Sequence, residues 1–153
     1  MNEVIKSVRD FNRFYVNLIG VLQNNLFDLK FSLTESRIIF EIGVAGEISA
    51  RKLKDLLFID EGYLSRLIAN LVKNGMINKS QSTADKRIHV LSLTVSGKNL
   101  LDEINRKSNE QLEALLSPLS INDQHRVAEI TAELKHILSK EQSIRAIDGV
   151  SHD

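Results

Sequence analysis

The apolar positions of this 153-residue chain change rhythm several times, and each change predicts an element. From Val4, the residues Val8, Phe11, Tyr15, Leu18 and Leu22 recur at steps of three and four, with Phe14 and Val21 widening the stripe. That spacing predicts a long amphipathic first helix. Ser32, three residues before Glu35, offers a capping box, or Thr34 an N-cap, for a second helix through Ile38, Ile39 and Ile42 that ends around Gly43 to Gly46. Ser49 can cap a short third helix through Leu53, Leu56 and Leu57. Asp60 can cap a fourth through Leu64, Leu67, Ile68 and Leu71, closed by Asn74-Gly75.

The rhythm then alternates. INKS at 77–80 and IHVLSL at 88–93 predict two strands joined by a polar turn over Ser82 to Lys86. Thr94 can cap a fifth helix carrying Leu100, Leu101, Ile104, Leu112, Leu115 and Leu116. Pro118 breaks it before a sixth with Val127, Ile130, Leu134, Ile137 and Leu138. Two short helices followed by a β-hairpin describe a helix-turn-helix with a wing. The predicted class is mainly α with a small β-hairpin wing: six helices, with the N- and C-terminal ones serving dimerisation.

Charge sharpens this picture. The chain is neutral overall, 20 basic against 20 acidic residues, yet residues 49–98 hold nine Lys/Arg and four Asp/Glu, whereas residues 99–153 hold six and ten. A polyanion would be drawn to the middle and repelled by the tail. An ordinary solvated surface is the plainer explanation, so the motif must decide. With 42% hydrophobic residues the chain can build a real core, and no Pro/Gly/Ser linker cuts it. Zero Cys excludes disulfides and thiolate metal sites and agrees with a reducing compartment. No apolar run reaches about 18 residues, and Arg9 and Asp10 interrupt the first one, so neither a signal peptide nor a membrane helix is expected. A cytoplasmic location follows.

The second helix of a helix-turn-helix enters the major groove, so one face must pack while the other offers short polar and basic groups. The fourth helix divides in that way, leaving Gly62, Tyr63, Ser65, Arg66, Asn70 and Lys73 for bases or phosphates. Arg66 could pair bidentately with guanine or a phosphate, Ser65 could bond either, Tyr63 could touch a thymine methyl, and Gly62 would permit close approach. A merely wet face of a core helix would show the same pattern. The hairpin adds weight, because Lys86 and Arg87 at its tip could reach a narrow minor groove. Asp85 beside them is assigned to the turn, through an Asx-type bond. Lys79, Ser82 and Thr83, with Ser80 and Ser49, complete the candidate DNA contacts.

At this point the chain resembles the MarR-type winged helix-turn-helix regulators. LTESR at 33–37, the run 53–59, LSRLI at 64–68, NGMI at 74–77, DKR at 85–87 and LTVSG at 93–97 follow that family's order and spacing. GYLSR at 62–66 and RDFNRFY at 9–15 look most like a subgroup in which this domain precedes an acetyltransferase domain. No such second domain follows here, so the chain either stands alone or is the DNA-binding fragment of a larger fusion. The resemblance implies one domain over 1–153: dimerisation helices at 1–31 and 95–145 flank a DNA-binding part at 32–94. It also implies a homodimer with recognition helices about 34 Å apart on a pseudo-palindromic operator, repressing or activating transcription. A small aromatic ligand bound between the dimer helices and the DNA head is a further implication. Phe11, Tyr15, Phe31 and Phe40 could line its pocket, although aromatics at helical spacing also make plain core.

Catalysis finds no support in the residues. His89, His125, His136 and His152 fall in a strand, two helix faces and the tail. His125 and His136 lie roughly 16 Å apart along one helix, too far to share a metal. Glu129 with Glu133, and Asp102 with Glu103, are helix-surface charges, and no phosphate-cradling glycine loop occurs. No enzyme, cofactor or metal is expected. The competing class is a winged helix used for protein docking, which would keep the core pattern without needing Arg66 and Arg87 together.

Overall fold

The computed structural model describes residues 1–24 and 30–139, with the backbone alone at 21–24. The side chains of Val21 and Leu22, residues 140–145 of the expected dimerisation segment, and His152 therefore lie outside the described part. The chain divides into two compact units, Met1–Gln111 and Leu112–Asp153. The first holds α1 (Asn2–Asn24), α2 (Leu33–Ala45), β1 (Ile48–Ser49), α3 (Ala50–Leu57), α4 (Glu61–Lys73), β2 (Ile77–Gln81), β3 (His89–Leu93) and most of α5 (Val95–Leu116). The second holds the end of α5 and α6 (Ile121–Leu138).

Local chemistry sets the helix boundaries. Ser32 and Glu35 form the reciprocal capping box, the Ser32 hydroxyl accepting from the Glu35 N–H and the Glu35 carboxylate from the Ser32 N–H. Of the two starts open in the sequence, Ser32 is the cap. Ser49 accepts from the Lys52 N–H and Asp60 from the Tyr63 N–H, each satisfying a donor that the first turn leaves unpaired. The α3–α4 turn begins at Phe58, whose φ of 51° and ψ of 44° place a phenylalanine in the left-handed region. Its N–H donates to the Lys54 carbonyl to close α3. Thr94 caps α5 by accepting from the Gly97 N–H, and its hydroxyl lies 2.6 Å from the Gly75 carbonyl. One residue thus ties the turn after α4 to the start of α5.

Ile38, Ile39, Ile42, Leu53, Leu71, Ile77 and Leu91 are fully buried at the centre of the first unit, joined by Phe31, Ile48, Leu64, Ile68, Leu100 and Ile104. Every element from α2 to α5 contributes, so the helix-turn-helix and the hairpin share one core. The sheet has three strands in the order β1-β3-β2, all antiparallel, with Ile48 opposite Leu91 and Ile77 opposite Leu93. The sequence predicts only the hairpin. β1 escapes a periodicity reading because it is two residues long: Ile48 is buried opposite Leu91 while Ser49 already serves as a helix cap.

The terminal helices form as predicted but stay uncovered in a single chain. On α1, Val4, Ile5, Val8, Phe11, Phe14 and Tyr15 are all exposed, and α6 buries none of its residues, leaving Val127, Ile130, Leu134 and Ile137 open. No helix among the described residues is long and apolar enough to cross a membrane.

Candidate nucleic-acid interface

The core sets the orientation of α4. Leu64, Ile68 and Leu71 are buried and Leu67 packs beside them, which turns Gly62, Ser65, Arg66, Ala69 and Lys73 outward. Ser65 and Lys73 are exposed and carry no side-chain partner in the hydrogen bonds of the described residues. Arg66 places its guanidinium carbon 5.9 Å from the centroid of the Tyr63 ring, one turn earlier on the same edge. The two side chains thus present a joint cationic and aromatic edge. At Gly62 an added Cβ would sit 3.2 Å from the Asp60 carboxylate that caps the helix, so the glycine also makes room for the cap.

Beside this edge lies an open cleft of about 650 Å³ between α3, α4 and the base of the hairpin. Ala50, Arg51 and Lys54 line it from α3; Glu61, Leu64, Ser65, Ile68, Ala69 and Val72 from α4; and Lys79 and Leu91 from the strands. Arg51 and Lys54 are functional candidates that the sequence reading missed. Their signal was present: with Leu53 and Leu57 committed to the core, positions 51 and 54 fall together on the outer face of the short third helix. Glu61 lies 3.7 Å from Lys54, the one acidic group on the rim.

The hairpin tip is organised by its own polar side chains. Ser82 accepts from the Ala84 and Asp85 N–H groups, and Asp85 accepts from the Arg87 N–H at 3.0 Å. Asp85 therefore shapes the turn through the expected Asx bond and projects Lys86 and Arg87 outward, both exposed. Lys79, Ser80 and Thr83 are likewise exposed along the wing, whereas Ser82 and Ser49 are half-buried, their hydroxyls occupied by turn and cap.

Two groupings read from the sequence come out differently. Asn70, expected to face the groove, is exposed, yet its amide donates to the buried Glu35 at the start of α2 and accepts from Asn74. Phe11, Tyr15, Phe31 and Phe40 do not gather into one pocket. Phe31 is in the core, Phe40 is on the open side of α2, and Phe11 stacks on Tyr15 with centroids 5.5 Å apart along exposed α1. None of the four lines the cleft.

Glu35 is the one carboxyl displaced from its ordinary titration range among the described groups. Burial pushes it up, but the hydrogen bonds from the Asn70 side chain, the Ser32 N–H and the Ser32 hydroxyl together outweigh burial and hold it below the usual value.

A three-helix core with an antiparallel hairpin, its second short helix exposed beside a cationic wing, defines a winged helix-turn-helix. Solved structures share that fold over most of the chain. A mutant MarR from E. coli complexed with operator DNA superposes with a TM-score of 0.72 at 24% identity, over 90% of this chain and 96% of that one. YusO from Bacillus subtilis gives 0.67 at 14%, over 89% and 97%. The MarR family model matches residues 31–89, the helix-turn-helix and the wing up to the start of β3. The multiple antibiotic resistance protein MarR of Salmonella typhimurium is 27% identical over 120 residues, covering 78% of this chain and 79% of its own. The HTH-type transcriptional regulator BilQ of Clostridium symbiosum is 31% identical over 78 residues, 51% and 54% of the two chains. Over residues 31–89 the chain is thus similar to the MarR family.

Proposed function

We infer that this chain is a sequence-specific double-stranded DNA-binding transcriptional regulator that works as a homodimer. One observation carries the reading: in a protein with no net charge, Arg51 and Lys54 of α3 and Lys79 of the wing line one cleft beside α4, while Arg66 of α4 and Lys86 and Arg87 of the wing are exposed. A docking module has no need for that concentration, whereas phosphates on either side of a groove do. In this reading Tyr63, Ser65 and Arg66 meet base edges, Lys73, Lys79 and Thr83 meet phosphates, and Lys86 and Arg87 reach the minor groove.

Dimerisation is supported by the open apolar stripes of α1 and α6, which a second copy would cover. A two-fold dimer asks for an inverted-repeat operator. We place the regulator in the cytoplasm, where its DNA is. The four aromatics expected around the small aromatic ligand that the resemblance implies lie apart among the described residues, Phe31 in the core and Phe11 with Tyr15 on exposed α1, and DNA binding does not depend on that ligand. The relatives are regulators, and that role requires no reaction at the site.

The test is selection and sequencing of bound duplexes from a random pool at two salt concentrations, alongside Arg87→Ala. Enrichment of an inverted repeat that the variant retains poorly supports the reading. Weak, unselective binding that the substitution leaves unchanged refutes it in favour of protein docking.

A further inference from the structure

The recognition helix is tethered to the start of α2 by side chains that the DNA-facing reading leaves unused. Asn70 Nδ2 donates to Glu35 Oε1 at 2.6 Å, and Asn70 Oδ1 accepts from Asn74 Nδ2 at 3.1 Å. Both ends of the Asn70 amide are therefore engaged, one turn beyond Arg66. At the far ends, Glu35 Oε2 accepts from the Ser32 N–H at 2.8 Å, and Asn74 Oδ1 accepts from Lys30 Nζ at 3.0 Å. Glu35 is only 6% exposed, so its carboxylate bridges two helices from inside the protein: one oxygen completes the cap of α2 and the other holds α4.

We propose that Glu35 and Asn70 are positioning residues that fix the rotation of α4 about its own axis, so that Asn70 governs base choice without touching a base; the proposal rests on the DNA-binding reading above. The apolar contacts of Leu64, Ile68 and Leu71 hold α4 against the core but are not directional. A short hydrogen bond to a buried carboxylate is directional, and it sits on the same edge as Tyr63 and Arg66. With an outer helix radius of about 5–6 Å, a rotation of roughly 20° would carry that edge about 2 Å sideways, more than a base contact tolerates. A direct role for Asn70 would require its amide to grip adenine through both ends, and each end already holds a protein partner that fixes how the amide is turned.

The experiment is a double-mutant cycle of Glu35→Ala and Asn70→Ala in the full chain, with two readouts. The first is unfolding free energy without DNA. The second is the ratio of affinities for the selected duplex and a scrambled one. The expected ratio falls roughly tenfold in either single variant and no further in the double, as when one charged hydrogen bond is removed twice. Glu35→Gln, whose amide oxygen can still accept from Asn70, restores part of the discrimination. A merely structural contact would lower stability and leave the ratio unchanged, which overturns the proposal. Additive losses of discrimination also overturn it, assigning Asn70 to direct readout. If the unsubstituted protein selects no duplex, the DNA reading fails and the positioning role with it, although the stability coupling would survive. Selection by the unsubstituted protein with additive variants defeats positioning alone.

Discussion

Gly97→Ala sets two effects of opposite sign against each other. Gly97 lies in the first turn of α5, where alanine in place of glycine ordinarily stabilises a helix by about 1 kcal/mol. Here the added Cβ would overlap the backbone carbonyl of Met76, with the Leu93 Cβ also 3.4 Å away. That carbonyl has no room to yield, because it accepts from the Thr94 N–H and lies 3.2 Å from the Thr94 hydroxyl, while the Met76 N–H donates to Leu71. Relief would require moving α5 off the start of the wing. Overpacking of this kind costs about 3 kcal/mol, so the net expectation is a loss of roughly 2 kcal/mol, or about 4–8 °C in Tm at fixed protein concentration. Gly43→Ala is the control: its Cβ would meet chiefly the end of the Leu101 side chain, which can swing away, so the loss should be smaller. Thermal unfolding of the two variants with the unsubstituted protein decides the matter. A Gly97→Ala protein as stable as the parent, or less affected than Gly43→Ala, would show that the α5–wing junction is not the rigid contact described.

The remaining expectations concern the surface and the buried carboxyl. Arg87→Ala should weaken binding to all duplexes and reduce the salt slope by about 0.9, one phosphate contact's worth, as read by anisotropy titrations at several ionic strengths. Arg66→Ala should cost about 1–3 kcal/mol on the selected sequence and change which bases are preferred, seen by repeating the selection. Phe58→Asn should raise stability by about 0.5–1 kcal/mol, since Phe58 is 65% exposed and its left-handed conformation is disfavoured for a phenylalanine; urea unfolding would detect it. The depressed Glu35 carboxyl gives stability that is complete above the ordinary glutamate value of about 4.3 and is lost as pH falls through its lower folded value. Glu35→Gln should therefore flatten the acid limb of the stability profile, and an unchanged limb would show that the tether does not titrate.

The elements whose apolar residues repeat over several turns were legible in the sequence, as were those whose caps are short polar residues. Ser32, Ser49, Asp60 and Thr94 act at the positions where a first turn needs an acceptor, and Asp85 makes the turn bond that its place beside Lys86 suggested. What stayed hidden depended on partners distant in the chain. β1 is too short to show a period, and Asn70 looks like any groove-facing amide until Glu35, 35 residues away, is brought against it. The aromatic set failed for the same reason: helical spacing places Phe11 and Tyr15 on one face of α1 but says nothing of where Phe31 and Phe40 will lie relative to it.

That difference bears on how a regulator of this kind can diverge. The cations proposed to supply affinity, such as Arg87 and Lys79, stand on exposed strands and turns, where substitution disturbs little of the core. In the proposal above, base choice depends on the angle at which α4 is presented, and that angle is held by a buried carboxylate and an amide one turn beyond Arg66. Charge changes on the wing should therefore alter how tightly the protein binds and how steeply salt weakens it. Changes at Glu35 or Asn70 should alter what it binds while leaving the salt slope in place, because no phosphate contact is added or removed. Comparing the salt slopes of Arg87→Ala and Asn70→Ala with the unsubstituted protein on one selected duplex separates the two roles: a slope reduced as much in Asn70→Ala as in Arg87→Ala would mean that Asn70 contacts phosphate after all.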